Sequence, residues 1–261
     1  MLDGTGAEGF SADIGIRDGK IAAIGKLPSE GCPVLDAAGK TVTPGFIDIH
    51  RHADLAAFRP DFGALELHQG LTTIVNGNCG LSAAPFGAAH RQEILDYLSP
   101  ILGRAPERFP TQSLAAYYAE LHERPLPINV GMLVGNGVLR ADALGYGAER
   151  PQTEHFQTIH RAMERALEDG ALGVSLGLGY APECFYSTQE LIRALAPLTG
   201  GNIPITVHMR EEGSAVDEAV EEMIAVARAL RCPMHLSHLK AMGKRNWGKK
   251  IPAILRRLEQ V

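Results

Sequence analysis

An incomplete (β/α) barrel of the TIM type, preceded by a small β unit, is the architecture expected of this chain, on three grounds. From Pro44 onward, short apolar runs alternate with longer stretches of helical period. Six strand–helix pairs follow one another, more than one mononucleotide-binding half needs and fewer than the eight that close a barrel. No G-x-G-x-x-G opens a helix after any strand, which argues against a dinucleotide-binding sheet.

Residues 1–43 read as short strands broken by glycine turns: FSADIGIRDG, KIAAIGKL and GKTVTPG. Arg17, Asp18 and Gly19 supply a hairpin turn between the first two. Residues 44–261 then carry the barrel pattern. Its strand candidates are 46–50, 72–76, 128–134, 172–176, 205–208 and 233–238. Helical period, with apolar residues recurring at three and four, marks 114–122, 153–168, 188–198 and 216–230. A further helix, IPAILRRLEQV, follows the sixth strand.

Composition narrows the class. Hydrophobic residues make up 45% and charged residues 21%, as in ordinary soluble globular domains. A net charge of -5 with no basic block gives nucleic acid nothing to dock on. No charged-then-apolar leader and no run of membrane-spanning length is present, so a cytoplasmic location and no membrane partner are expected. Cys32, Cys79, Cys184 and Cys232 are widely scattered, a pattern that suits reduced thiols or a metal ligand better than a disulfide framework.

Four segments carry candidate chemistry. In PGFIDIHRHAD, residues 44–54, a regular strand would put Asp48, His50 and His52 on one face and aim both imidazoles at one point. Neutral imidazole is the commonest protein ligand of transition metals, and the C-terminal strand ends of a barrel are where such groups collect. In TTIVNGNCGLSAAP, residues 72–85, Cys79 follows an apolar strand among glycines that let the backbone bend closely. It reads either as a soft thiolate ligand or as a small buried hydrophobe. In ITVHMREEG, residues 205–213, Thr206 and His208 share a face, and His208 is either a ligand or a hydrogen-bonded core residue. In PMHLSHLKAMG, residues 233–243, His235 and His238 cannot both face one way on a regular strand. His238, beside Ser237 and Lys240 at the strand end, is the one expected at the site, with His235 packed within the wall.

The order of these segments, together with DGTG, IRDGKIAAIG, GALGVSLGLGYAPECFYSTQEL and SHLKAMGKRNWGK, is similar to the amidohydrolase superfamily. Within it the chain resembles the D-aminoacylase, or N-acyl-D-amino-acid deacylase, group, and NGNCG and SHLK are the most discriminating segments. The resemblance implies a barrel of the metal-dependent hydrolase type with a partial β-sandwich at residues 1–43, and a barrel at 44–261 limited to its first six βα units. It implies zinc held tightly by Cys79, His208 and His238, with His50 and His52 serving a second site. Tyr180, Arg210 and Lys240 would line the pocket and receive the carboxylate of a small N-acyl-D-amino acid. The candidate fourth strand, ALGVSLGLGY, lacks the metal-bridging lysine of many relatives, and Cys79 takes its place. That absence disfavours the enzymatic alternative, a hydantoinase- or dihydroorotase-like hydrolase of cyclic amides.

In the family an aspartate on the eighth strand is general acid/base, and it is expected beyond Val261. Hydrolysis by the 261-residue chain is therefore expected to be impaired, and a non-catalytic zinc-binding fragment is the rival from another class. Exposed strand edges of an incomplete barrel would favour oligomers.

Overall fold

A computed structural model describes all 261 residues. It divides into two compact units, Met1–Phe46 and Ile47–Val261. In the first, β1 (Asp13–Arg17) and β2 (Lys20–Gly25) form an antiparallel hairpin in which Arg17 faces Lys20. Asp18 and Gly19 between them both take positive φ, 51° and 71°, the conformation a two-residue hairpin turn demands. The expected third strand, GKTVTPG, does not form: residues 40–45 carry no strand, and Val42 is tied outside the segment by the Leu2 N–H donating to its carbonyl.

The second unit is a parallel α/β wall. Its strands are β3 (Phe46–Asp48), β4 (Leu71–Asn76), β5 (Asn129–Met132), β6 (Val134–Gly135), β7 (Val174–Gly177), β8 (Ile205–His208) and β9 (Met234–Leu236). They lie in chain order in two sheets, β3-β4-β5 and β6-β7-β8-β9, and the pairs β4–β5, β6–β7, β7–β8 and β8–β9 are parallel. The single strand expected at 128–134 is thus two. Leu133 breaks it, donating its N–H to Asn76 O, while Val134 N–H already serves Gly173 O in the neighbouring sheet. One continuous segment therefore stitches both sheets together.

Helices α1 (Ala64–His68), α2 (Arg91–Leu102), α3 (Leu114–His122), α4 (Asn136–Leu144), α5 (Thr153–Glu168), α6 (Thr188–Ala194), α7 (Val216–Leu230) and α8 (Lys250–Leu258) fall between and after the strands. Apolar spacing explains the long ones: α5 buries Phe156, Ile159, Met163 and Ala166, a 3-4-3 repeat that closes one face onto the core. α6 begins with a capping box, in which Ser187 Oγ accepts from Glu190 N–H and the Glu190 carboxylate accepts from Ser187 N–H. It stops short of the expected 198, because Pro197 interrupts the helical bonding and leaves one 3-10 turn, Ala196–Leu198. No helix is long and apolar enough to cross a membrane.

Candidate metal centre

Every candidate donor leaves the wall at a strand end. β3 stops at Asp48, short of the strand expected at 46–50, so His50 and His52 lie in the bend beyond it, where His50 N–H is accepted by Asp48 Oδ1 at 3.0 Å. Cys79 stands three residues past β4, His208 closes β8, and His238 lies two residues past β9. The fold brings these together from 188 positions apart in the chain, counting from residue 50 to residue 238. Cys79 Sγ is 3.4 Å from His50 Nε2 and 3.7 Å from His238 Nε2, and the ligand atoms of all three lie within 4.8 Å of one another. His208 is reached through His238, their ring centroids being 4.8 Å apart, and the His52 ring lies 5.3 Å from that of His50.

The backbone is bent to achieve this. Cys79 and His238 take φ of 58° and 37°, a left-handed conformation that costs a non-glycine residue of order 1–3 kcal/mol. What holds Cys79 there is a buried clasp. Ser175 Oγ, on β7, donates to Gly77 O at 2.5 Å and accepts from Gly80 N–H at 2.9 Å. Tyr180 Oη donates to Cys79 O at 2.6 Å, and the Asp54 carboxylate accepts from Gly77 N–H and Ala83 N–H at 3.4 and 3.2 Å. Gly77 is required at its place: its φ is 73°, and a Cβ there would lie 2.0 Å from Leu133 O.

Burial shapes the electrostatics. It lowers His50 to about 4, helped by the neighbouring rings of His52 and His238, and it lowers His52 and His208 below the ordinary imidazole value as well. The three rings are therefore neutral near pH 7, as metal ligation requires. Burial also raises the Cys79 thiol to about 11 against a weaker opposing effect of Tyr180, so without a cation beside it the sulfur keeps its proton. Two buried carboxyls, Asp54 and Glu183, are both pushed up to about 7 by desolvation.

The donor set suits zinc: one thiol and several neutral imidazoles are the ligands that borderline-soft ion takes. His52 Nδ1 is buried without a hydrogen-bond partner, as is one oxygen of Glu212, and such orphans are what a missing ion or its ordered shell leaves behind.

Of the remaining candidates, Lys240 stands at the site, its Nζ 3.2 Å from His238 Nδ1 and paired with the Glu212 carboxylate. The Tyr180 ring lies 5.0 Å from that of His208, with its hydroxyl committed to Cys79 O. Arg210 serves the scaffold instead, forking onto Glu222 at 3.0 Å with Nε and Nη2 and donating to the carbonyls of Cys184 and Tyr186. His235, expected within the wall, is exposed, because it sits on β9, the last strand of its sheet. Sequence reasoning passed over Glu212, Ser175, Asp54 and Glu183. A polar residue inside an apolar run, as in GVSLG, was the available signal for Ser175, and His-x-x-x-Glu in HMREE was that for Glu212.

The amidohydrolase family model matches residues 33–242, a span that contains all five candidate ligands. The chain belongs to the amidohydrolase family. This amidohydrolase is 35% identical to the D-aminoacylase of Alcaligenes xylosoxydans xylosoxydans over 250 residues, which are 95% of this chain and 51% of that protein. It is 37% identical to the N-acyl-D-glutamate deacylase of the same organism, again over 95% of this chain and 50% of the relative. Among solved structures it superposes on the N-acyl-D-glutamate deacylase of Bordetella bronchiseptica, complexed with zinc and a phosphonate inhibitor that mimics the tetrahedral intermediate. That match has a TM-score of 0.88 and 36% identity, covering 99% of this chain and 53% of the other. A D-aminoacylase structure matches at a TM-score of 0.86 and 35% identity. These neighbours give the second unit its architecture, a TIM-like α/β hydrolase fold. The chain spans about half the length of the curated relatives it matches.

Proposed function

We propose that this chain holds zinc through Cys79, His208 and His238, with His50 and His52 beside them for a second ion, in an enzyme that hydrolyses N-acyl-D-amino acids. The products are a D-amino acid and a carboxylate. The observation that carries the reading is the meeting of the Cys79 thiol with His50 and His238 inside a 4.8 Å cluster, built from three separate strand ends. The amide substrates named for the relatives set the substrate class. We take residues 1–43 as part of a β-sandwich and 44–261 as the barrel that carries the site.

Zinc bound in such a set supplies Lewis acidity toward the amide carbonyl and brings the pKa of its water toward neutrality. The residues of this chain supply the rest. The Cys79 sulfur would give up its proton on ligation, and the imidazoles of His208 and His238 would offer lone pairs. Lys240, with a side chain 42% exposed and its ammonium 2.5 Å from the buried Glu212 carboxylate, stands at the rim where a substrate carboxylate would arrive. The hydroxyl of Tyr180 fixes the Cys79 loop while its ring walls the pocket beside His208. Arg210 braces the chain after β8 through Glu222 and leaves the substrate carboxylate to Lys240.

Equilibrium dialysis of the purified chain against zinc should give tight binding that Cys79→Ser reduces by at least about tenfold. Assays with N-acetyl-D-amino acids, their L enantiomers and hydantoin should then show chelator-sensitive hydrolysis confined to the D series in a protein of the relatives' full length. Unchanged zinc affinity in the serine variant, or turnover of hydantoin alone, would overturn the reading.

A further inference from the structure

Glu212 has no role in the chemistry above, yet its buried carboxylate stands beside two of the candidate ligands, His208 and His238. It lies four residues past His208, and its side chain is only 7% exposed. One oxygen, Oε2, is 2.5 Å from Lys240 Nζ and 3.6 Å from His208 Nε2. The other, Oε1, is 2.9 Å from His238 Nδ1 but out of line with a ring N–H, so this buried atom has no hydrogen-bond partner. The backbone fastens the same residue to the segment beyond His238, since Met242 N–H donates to Glu212 O at 2.7 Å.

We infer that Glu212 is a positioning residue for zinc, holding the His238 ring with Nδ1 toward itself and Nε2 toward Cys79. The inference rests on the zinc reading above. An imidazole that ligates through Nε2 carries its proton on Nδ1 and needs an acceptor there, and a carboxylate in that place fixes tautomer and orientation together. Oε1, buried and 2.9 Å from Nδ1, is the carboxylate oxygen within reach of that nitrogen. Direct ligation by Glu212 is the competing arrangement, because one of its oxygens lies within 4.8 Å of ligand atoms of His208 and His238. The ammonium of Lys240 argues against it: Oε2 already faces one cation at ion-pair distance, and a second cation on the same carboxylate would be repelled by the first.

Removing an outer carboxylate of this kind lowers metal affinity by about 10- to 100-fold. Zinc affinity of the full 261-residue chain, measured by competition with a chromophoric chelator, should therefore fall by about that factor in Glu212→Ala. Glu212→Gln, which keeps the volume and one acceptor oxygen, should recover part of the loss and guards against a variant that fails to fold. The cobalt(II)-loaded Glu212→Ala chain should keep its thiolate charge-transfer band and change its ligand-field bands, a change that a merely structural role would not produce. Wild-type zinc affinity in both Glu212 variants, or weakened affinity with an unaltered cobalt spectrum and no recovery by glutamine, would overturn the inference. If Cys79→Ser abolishes zinc binding while both Glu212 variants bind normally, only the role of Glu212 falls. If Cys79→Ser binds zinc like the wild type, the zinc reading falls first.

Discussion

Glu183 shows how the ground beneath the site is held. Its fully enclosed carboxylate accepts from Asn136 Nδ2 at 2.7 Å and from Gly177 N–H at 2.6 Å, joining the start of α4 to the end of β7. Desolvation dominates those bonds and raises the group from 4.5 to about 7. Because the folded pKa lies above the unfolded one, the native state binds the extra proton between those values. The stability this group contributes is thus fully present below pH 4.5 and is lost as the pH rises to about 7. Denaturant melts of the wild type and Glu183→Gln at several pH values should give a stability difference that shifts in favour of the variant across that window and levels off above it. A difference that does not vary with pH would show that folding leaves this carboxyl's pKa unshifted. At this scale the clustered donors were legible, since thiol and imidazoles stand beside recognisable apolar runs. Ser175, Asp54, Glu183 and Glu212 were not, because each acts on partners that only the folded chain brings near, Ser175 on Gly77 from 98 positions away.

Elements were read best where amphipathic period and clean ends coincide. Helices α3, α5 and α7 run over the spans that their spacing predicts, Leu114–His122, Thr153–Glu168 and Val216–Leu230. Helices α2 and α4 are hidden from periodicity: α2 carries Pro100 in its interior, and α4 starts at Asn136 directly from the last residue of β6. The GKTVTPG strand failed for want of a partner, as no third strand joins the β1–β2 ladder. The junction of β6 and α4 also sets how closely the Cys79 loop can approach. A Cβ on Gly135 would lie 2.4 Å from Gly80 O and 2.8 Å from Leu81 N, although its φ of -79° suits any residue. Gly135→Ala should therefore destabilise the fold through overpacking alone, by about 1–3 kcal/mol in chemical denaturation, and should weaken zinc binding with it. An alanine variant of wild-type stability would mean that the loop has room to move.

Across the whole molecule, the parallel wall was foreseeable from the alternation of apolar runs and helical stretches, while the break at Leu133 was not. That break depends on where Gly77 presses against the Leu133 backbone, a contact between positions that sequence spacing does not relate. The same principle places the site: its donors are local to no segment and belong to the strand ends as a set. A construction of this kind leaves loops, ordinarily the most yielding parts of a fold, to carry the atoms that need the firmest hold.

The clasp around Cys79 has a consequence in time. The amides of Gly77, Gly80 and Ala83 lie outside any strand or helix, yet all three are bonded to buried side chains of Asp54 or Ser175. Deuterium should enter them as slowly as it enters β4 and β7, and Ser175→Ala should speed the exchange at Gly80 while leaving the strands unchanged. Rapid uptake at these amides in the native chain would mean that the turn breathes independently of the sheet. A turn that opens only when the sheet does would retain a captured ion for as long as the fold itself endures.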